Sequence, residues 1–185
     1  CISLTEVYIP NGVKTIGSYA YTNCSQLKSV SLSKNISEVG DNAFDGCFSI
    51  QEIRIPLLKN SIKDVFGESV TNRISKITVD ISNESSLPDY YFSDCYKLTS
   101  IVFNGKISSI GKYAFNGCSS LQTVDIDSSV TKIDDYAFNN CSKLSTISIP
   151  SSVSYVGNSI FNGCNSIKNF QVPIANTKSF ENYFS

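Results

Sequence analysis

The sequence contains no histidine, methionine or tryptophan, and its charge is almost balanced. The missing histidine removes the commonest general base and the commonest metal ligand. The 15 Lys and Arg residues are balanced by 16 Asp and Glu residues, so the chain has no net positive charge to attract a nucleic acid. No apolar run reaches the roughly 18 residues of a spanning helix, so direct membrane insertion of this segment is excluded. Nothing meets the requirements of an active site, and we predict a non-enzymatic protein without cofactor or metal.

Seven cysteines are the most regular feature that is present. All but one of the intervals between them are 23 residues, and the exception is 48; they lie at Cys1, Cys24, Cys47, Cys95, Cys118, Cys141 and Cys164. A fixed period of this length predicts an array of stacked coils. The long interval holds two periods with small insertions. We therefore expect a divergent repeat around 57–80, with Thr71 near the position of the missing cysteine.

Apolar residues repeat with the cysteines. The aromatic column lies three residues before each cysteine and consists of Tyr21, Phe44, Phe92, Phe115, Phe138 and Phe161. Six and eight residues after each cysteine come apolar pairs such as Val30/Leu32 and Ile53/Ile55, separated by a polar residue. This alternation predicts a short strand with one buried face. Because a strand of that length cannot bury its face alone, neighbouring coils must stack on it.

One unit carries a family resemblance. The unit from Leu121 to Cys141 resembles the leucine-rich repeat, and most closely its BspA-type (Treponema-like) subclass. The residues that carry the resemblance are Leu121-x-x-Val124-x-Ile126, then Val130-x-x-Ile133, and finally Ala137-Phe138-x-x-Cys141. The resemblance implies a β-rich, right-handed solenoid of about eight 23-residue repeats. A parallel sheet would form the concave face, and short helical turns or strands the convex side. We expect residues 1–185 to form a single such domain, a fragment of a longer array.

The resemblance also implies a function. Family members are mostly surface proteins of bacteria and parasitic protists that bind host or neighbouring-cell proteins. It therefore favours a protein-binding repeat module in cell adhesion or recognition, at the cell surface or secreted. An intracellular, cytoplasmic scaffold is the alternative, because free thiols persist more easily in a reducing compartment. Uncapped strand edges would also favour end-to-end self-association.

The concave face supplies the candidate protein-binding residues. The outward strand positions include the types that dominate interfaces, and the expected set is Tyr8, Glu52, Arg54, Lys76 and Asp125. An ordinary solvated sheet face is the competing interpretation. Asp80, Asn104 and Asp127 also share one column, where stacked oxygen atoms would suit calcium, although the set is sparse and a hydrated edge is the simpler interpretation.

The cysteines and the glycosylation sequons are the remaining candidate sites. A ladder of buried free thiols is the favoured interpretation for Cys24, Cys47, Cys95, Cys118, Cys141 and Cys164. Disulfides between coils and a zinc site are the alternatives; parallel side-chain directions oppose the first, and the lack of histidine opposes the second. Four Asn-x-Ser/Thr sequons are candidate glycosylation sites, although a chain this rich in Asn and Ser forms them by chance; they are Asn23, Asn35, Asn83 and Asn140.

Overall fold

Short parallel strands stack in two rows along the molecule. The structure, a computed structural model, describes residues 1–172 and 181–184. Strands are numbered in chain order. The first strand row contains β1 (Glu6–Ile9), β3 (Ser29–Leu32), β5 (Glu52–Pro56), β6 (Lys76–Asp80), β8 (Ser100–Asn104), β11 (Thr146–Ser148) and β13 (Asn169–Gln171). The second strand row contains β2 (Thr15–Ile16), β4 (Glu38–Val39), β7 (Ser85–Leu87), β9 (Ile107–Ile110), β10 (Lys132–Ile133) and β12 (Tyr155–Val156).

The register of the first strand row reproduces the sequence period. Val7 lies opposite Val30, and Val30 lies opposite Ile53, so each coil returns to the same place after one period. Ile53 pairs with Ile77, which aligns the divergent repeat as expected from Thr71. The parallel-sheet solenoid is therefore confirmed.

The core consists of columns of like side chains. In the aromatic column, the ring centroids of Phe92 and Phe115, and those of Phe115 and Phe138, lie 5.1 Å apart with nearly parallel planes. The ring centroid of Phe161 lies 5.6 Å from that of Phe138. The ring of Phe184 is tilted and lies 5.8 Å from that of Phe161. The buried side chains of one coil are covered by those of the coils above and below it. Its stability therefore comes mainly from contacts with the coils on either side.

The segment before each cysteine forms tight turns. Instead of a regular helix, the segment has hydrogen bonds from an N–H to the carbonyl oxygen three residues earlier. The N–H of Cys118, for example, donates to the carbonyl of Phe115 at 3.1 Å. A longer helix cannot form, because Tyr113 and Gly117 have φ values of 54° and 72°. Among the described residues the helices are α1 (Ile62–Phe66), α2 (Glu68–Thr71) and α3 (Glu181–Phe184), and none is long and apolar enough to cross a membrane.

The residues directly before the cysteines alternate in size. Asn23, Asp94 and Asn140 occupy this position in some coils, and Gly46, Gly117 and Gly163 occupy it in the coils that follow them; all six have positive φ. The glycines leave room for the side chain of the preceding coil. A Cβ atom on Gly46 would collide with the side-chain oxygen of Asn23, and one on Gly163 with that of Asn140. An Asn or Asp at this position is thus covered by glycine in the next coil, whereas the divergent repeat has Val70 there.

The divergent repeat replaces turns with helices. Ser61 and Asp64 form a reciprocal cap at the start of α1. Phe66 then enters the aromatic column, with its ring 5.0 Å from that of Phe44. Thr71 is buried in place of a cysteine, and its hydroxyl donates to the carbonyl of Gly67 at 2.7 Å. The repeat therefore keeps the core continuous, although its surface differs from that of the other coils.

The first strand row is interrupted once. A strand is expected at Val124–Ile126, but the structure has only an isolated bridge from Thr123 to Thr146 there. No backbone hydrogen bond described in the structure joins this segment to β8. Phe103 on β8 is half-buried. The equivalent position in every other coil carries a smaller aliphatic side chain. We attribute the interruption to the extra room that this ring requires.

Candidate functional site

The outward side chains of β1, β3, β5, β6 and β8 form two rows. The sheet register places Tyr8, Ser31, Arg54, Thr78 and Val102 side by side in one of them. The parallel row begins at Glu6 and contains Glu52 and Lys76. Because adjacent strands are about 4.8 Å apart, neighbours in a row are within reach of one another. Four of the five predicted binding residues therefore share one continuous surface.

Arg54 is fixed in place by Asp80. Its Nε donates to Oδ2 at 2.7 Å and its Nη2 to Oδ1 at 3.0 Å, while Asn104 Nδ2 also donates to Oδ1 at 2.9 Å. The Arg54 hydrogen bond is the main cause that holds the pKa of Asp80 below its ordinary value. The Asp80 carboxylate is therefore ionised at neutral pH and occupied by intramolecular donors. This arrangement orients the guanidinium and leaves Asp80 poorly suited to calcium.

A groove runs along the carboxyl ends of these strands. Its volume is about 560 Å³. Tyr8 stands at one end with 73% of its surface exposed. The wall is mostly polar, and it includes Asn11, Ser31, Ser33, Lys34, Arg54, Asp80 and Asn104. An exposed aromatic ring and an oriented guanidinium beside one groove provide the two side-chain types that contribute most to protein interfaces.

Glu52 and Lys76 pair with each other next to the groove. Their charged atoms are 2.8 Å apart, and both side chains are more than half exposed. An ion pair in that environment is worth at most about 1 kcal/mol. A partner can therefore displace it at small cost.

Asp125 lies apart from the other four residues. It lies within the interruption of the first strand row and lines a separate cleft of about 230 Å³. Asp127, Ile101 and Phe103 line the same cleft. The structure thus divides the predicted binding set between two places. In the described part of the chain, no group of three or more His, Cys, Asp or Glu could hold a metal ion.

The cysteine column lies inside the solenoid. The six repeat cysteines are buried and Cys1 is exposed, with every thiol free. Cys47 Sγ donates to the carbonyl of Tyr21 at 3.0 Å, and Cys141 Sγ donates to that of Phe115 at 3.2 Å. Burial raises the pKa of the Cys47 thiol to about 11. Burial likewise raises the pKa of Cys118. Since a neutral, buried thiol is a poor nucleophile, Cys47 and Cys118 contribute packing rather than reactivity.

The sequons occupy different settings. Asn23 and Asn140 lie in left-handed turns with φ values of 60° and 58°, and each side-chain oxygen faces the glycine of the next coil. The side chain of Asn35 is half-buried, and its Nδ2 donates to the carbonyl of Asn11 at 3.3 Å. Asn83 is exposed on the loop between β6 and β7.

A second cleft was not predicted from the sequence. It has a volume of about 750 Å³ and lies at the amino ends of β5 and β6. Phe48, Asn72, Arg73 and Lys97 are among its lining residues. Two cationic residues at equivalent positions of adjacent coils could have drawn attention to it. That position precedes the strands, so the alternation that selected the candidate binding residues did not include it.

Known proteins share both the repeat and the fold. The model of the BspA type leucine rich repeat region matches residues 1–85 and 85–185 in six copies. A leucine-rich repeat protein from Bacteroides ovatus has 20% identity and a TM-score of 0.64, covering 99% of this chain and 58% of its own. A leucine rich cell surface protein from Faecalibacterium prausnitzii has 21% identity and a TM-score of 0.52, covering 96% and 62%.

The leucine rich repeat protein of T. pallidum has 25% identity and a TM-score of 0.51, covering 86% of this chain and 63% of its own. The chain therefore spans about three fifths of the length of these proteins. No curated protein matches it. Because the family match runs along both halves of the chain, and the fold agrees with it, the protein belongs to the BspA-type leucine-rich repeat family.

Proposed function

We propose that this chain is a protein-binding module of a cell-surface protein, and that it functions in adhesion or recognition of a host or neighbouring cell. The observation that carries the proposal is the groove in which Arg54 is held by Asp80 beside exposed Tyr8. Holding a guanidinium in one orientation before binding reduces the side-chain entropy lost on association. Glu52 and Lys76 extend the same surface, and Asp125 contributes a separate acidic contact.

Two observations support a position at the cell surface. One similar structure, from Faecalibacterium prausnitzii, is described as a cell surface protein. Asn83 is an exposed sequon, and we propose it as the glycosylation site if the chain passes through a glycosylating pathway. The seven free thiols favour the alternative, a cytoplasmic scaffold. Surface biotinylation of intact source cells distinguishes the two, since only a surface protein is labelled.

An affinity pull-down with the parent protein tests the proposed function. Candidate surface proteins of host or neighbouring cells serve as prey, and captured partners are measured by surface plasmon resonance. The test variant is Tyr8→Ala/Arg54→Ala/Asp80→Asn, because removing Arg54 alone would leave the Asp80 carboxylate without its main partner. Removal of two interface anchors is expected to weaken binding by about thirtyfold or more, which is equivalent to about 2 kcal/mol.

The matched control removes an aromatic ring and a cation from another face. Lys132 Nζ lies 5.3 Å from the ring centroid of Tyr155 on the second strand row. The variant Lys132→Ala/Tyr155→Ala is expected to keep full affinity, and melting curves must show both variants folded. Equal affinity of the test variant and the unmodified protein would remove the groove from consideration.

A further inference from the structure

The cleft at the amino ends of β5 and β6 is lined by two cationic side chains, Arg73 and Lys97. Arg73 and Lys97 each lie two residues after the cysteine position of adjacent coils, as counted from Thr71 and Cys95. Both are exposed, and neither forms an ion pair within residues 1–172 and 181–184. Like charges at equivalent positions of adjacent coils repel each other. A bound anion would relieve that repulsion.

Phe48 orients one of these cations. The Arg73 Cζ atom lies 5.5 Å from the centroid of the Phe48 ring. Such a cation–π contact covers one face of the guanidinium and leaves its N–H edge free to bind a carboxylate. The ring itself is 49% exposed, although large apolar side chains are mostly buried in this chain. An apolar surface therefore lies directly beside the cationic one.

The cleft is large enough for a peptide segment. It measures about 750 Å³, and Gln51 and Ser75 form its floor where β5 and β6 begin. Phe48 and Gln51 also line a neighbouring cleft of about 620 Å³ on the side of β3. The two clefts together form a trough across the amino ends of the strands. Its cationic end is at Arg73 and Lys97, and Phe48 stands at its centre. Glu6, Glu52 and Lys28 line the other end, so the acidic side chains of a bound segment are expected at the cationic end only.

We propose that this trough binds an acidic, extended peptide segment of a protein partner. Asp or Glu side chains of the segment pair with Arg73 and Lys97, and an adjacent apolar side chain packs on Phe48. The inference rests on the proposed function only in taking a protein as the partner. The trough and the Tyr8 groove lie at opposite ends of the same strands, so a partner can contact both.

Fluorescence anisotropy with synthetic peptides tests the inference. The probe is a fluorescein-labelled peptide Gly-Ser-Glu-Leu-Glu-Ser-Gly, and its neutral counterpart has glutamine in place of both glutamates. The acidic peptide is expected to bind at least tenfold more tightly than the neutral one, and its affinity should fall as salt is raised. Equal binding of the two peptides would overturn the proposal.

Paired substitutions locate the binding. Arg73→Gln/Lys97→Gln is expected to weaken binding of the acidic peptide at least tenfold. The control Lys14→Gln/Lys143→Gln removes the same charge from exposed positions elsewhere and should leave the affinity within twofold. Equal losses in the two variants would mean that only the overall charge matters, which contradicts the inference. Thermal melting shows that both variants are folded.

Two further arms separate this inference from its alternatives. Inorganic phosphate at the same concentration as the peptide, with the ionic strength held constant, should not displace it. Displacement would overturn the proposal and indicate a phosphate site instead. The variant Tyr8→Ala/Arg54→Ala/Asp80→Asn should keep its affinity for the peptide. If that variant loses the peptide while Arg73→Gln/Lys97→Gln keeps it, the trough is refuted and the groove of the proposed function remains.

Discussion

Removal of one ring from the aromatic column should destabilise the protein far more than removal of an equal ring from its surface. Phe138 is fully buried, with Phe115 at 5.1 Å on one side and Phe161 at 5.6 Å on the other. Phe138→Ala would leave a cavity between coils that cannot collapse, because both coils remain tied by β10. A buried Phe→Ala change costs about 3–5 kcal/mol, part of which is the loss of ring stacking.

The matched control is Phe48→Ala. Its ring is 49% exposed, so the same chemical change should cost less than about 1 kcal/mol. For a domain of this size, about 4 kcal/mol corresponds to a melting temperature lower by about 8–16 °C.

Urea unfolding is the appropriate assay, followed by far-ultraviolet circular dichroism and by tyrosine fluorescence, since the chain has no tryptophan. If the two signals separate in the variant but coincide in the unmodified protein, the coils on either side of Phe138 have become independent. Equal destabilisation by Phe138→Ala and Phe48→Ala would refute the view that stacking between coils stabilises the fold.

Four other predictions concern the thiols, the divergent repeat and the turns. Because burial raises the pKa of Cys47 from 9.0 to about 11, the unfolded thiol loses its proton first as pH rises. Stability should therefore fall between pH 9 and 11, by up to about 1.4 kcal/mol per pH unit for each such thiol, and Cys47→Ser should show a shallower fall in urea titrations. In the same protein, thiol titration should find one reactive group when native and seven when denatured without reductant; fewer than seven would indicate disulfides. Tyr91→Phe removes the hydroxyl that accepts the Leu58 N–H at 2.9 Å, which should cost about 1–3 kcal/mol and speed hydrogen exchange at Leu58; unchanged exchange would contradict this role. Gly46→Ala should destabilise the fold, and adding Asn23→Gly should restore part of the loss in a double-mutant cycle, whereas additive effects would show that the two positions do not interact.

The period of the sequence was sufficient to predict the fold. Every coil repeats the same local contacts, so the spacing of Cys118, Cys141 and Cys164 determines which strands are neighbours. The interruption after β8 could not be predicted in this way. Phe103 satisfies the apolar pattern, and only its volume distinguishes it from the aliphatic residues of other coils. A pattern of polar and apolar residues contains no information on such a difference in size.

The candidate site was predicted in part. The outward positions of the strands follow from alternation, and Tyr8 and Arg54 lie on one face as expected. The pairing of Arg54 with Asp80 was missed, because Asp80 belongs to a column that was interpreted separately as a calcium candidate. Arg73 and Lys97 were missed because they precede β6 and β8, whereas the candidates were chosen from the outward positions of strands.

The alternation of large residues and glycine before the cysteines has a consequence for the evolutionary history of the array. A coil with Asn or Asp at this position fits only beneath a coil with glycine, as Asn140 fits beneath Gly163. Loss of a single glycine coil, or duplication of a single Asn or Asp coil, would place two large side chains against each other. Tandem gene duplications that preserve the fold should therefore copy coils in pairs, such as the 46 residues that separate Cys118 from Cys164. A duplication unit of two structural repeats is thus the one expected to preserve the alternation.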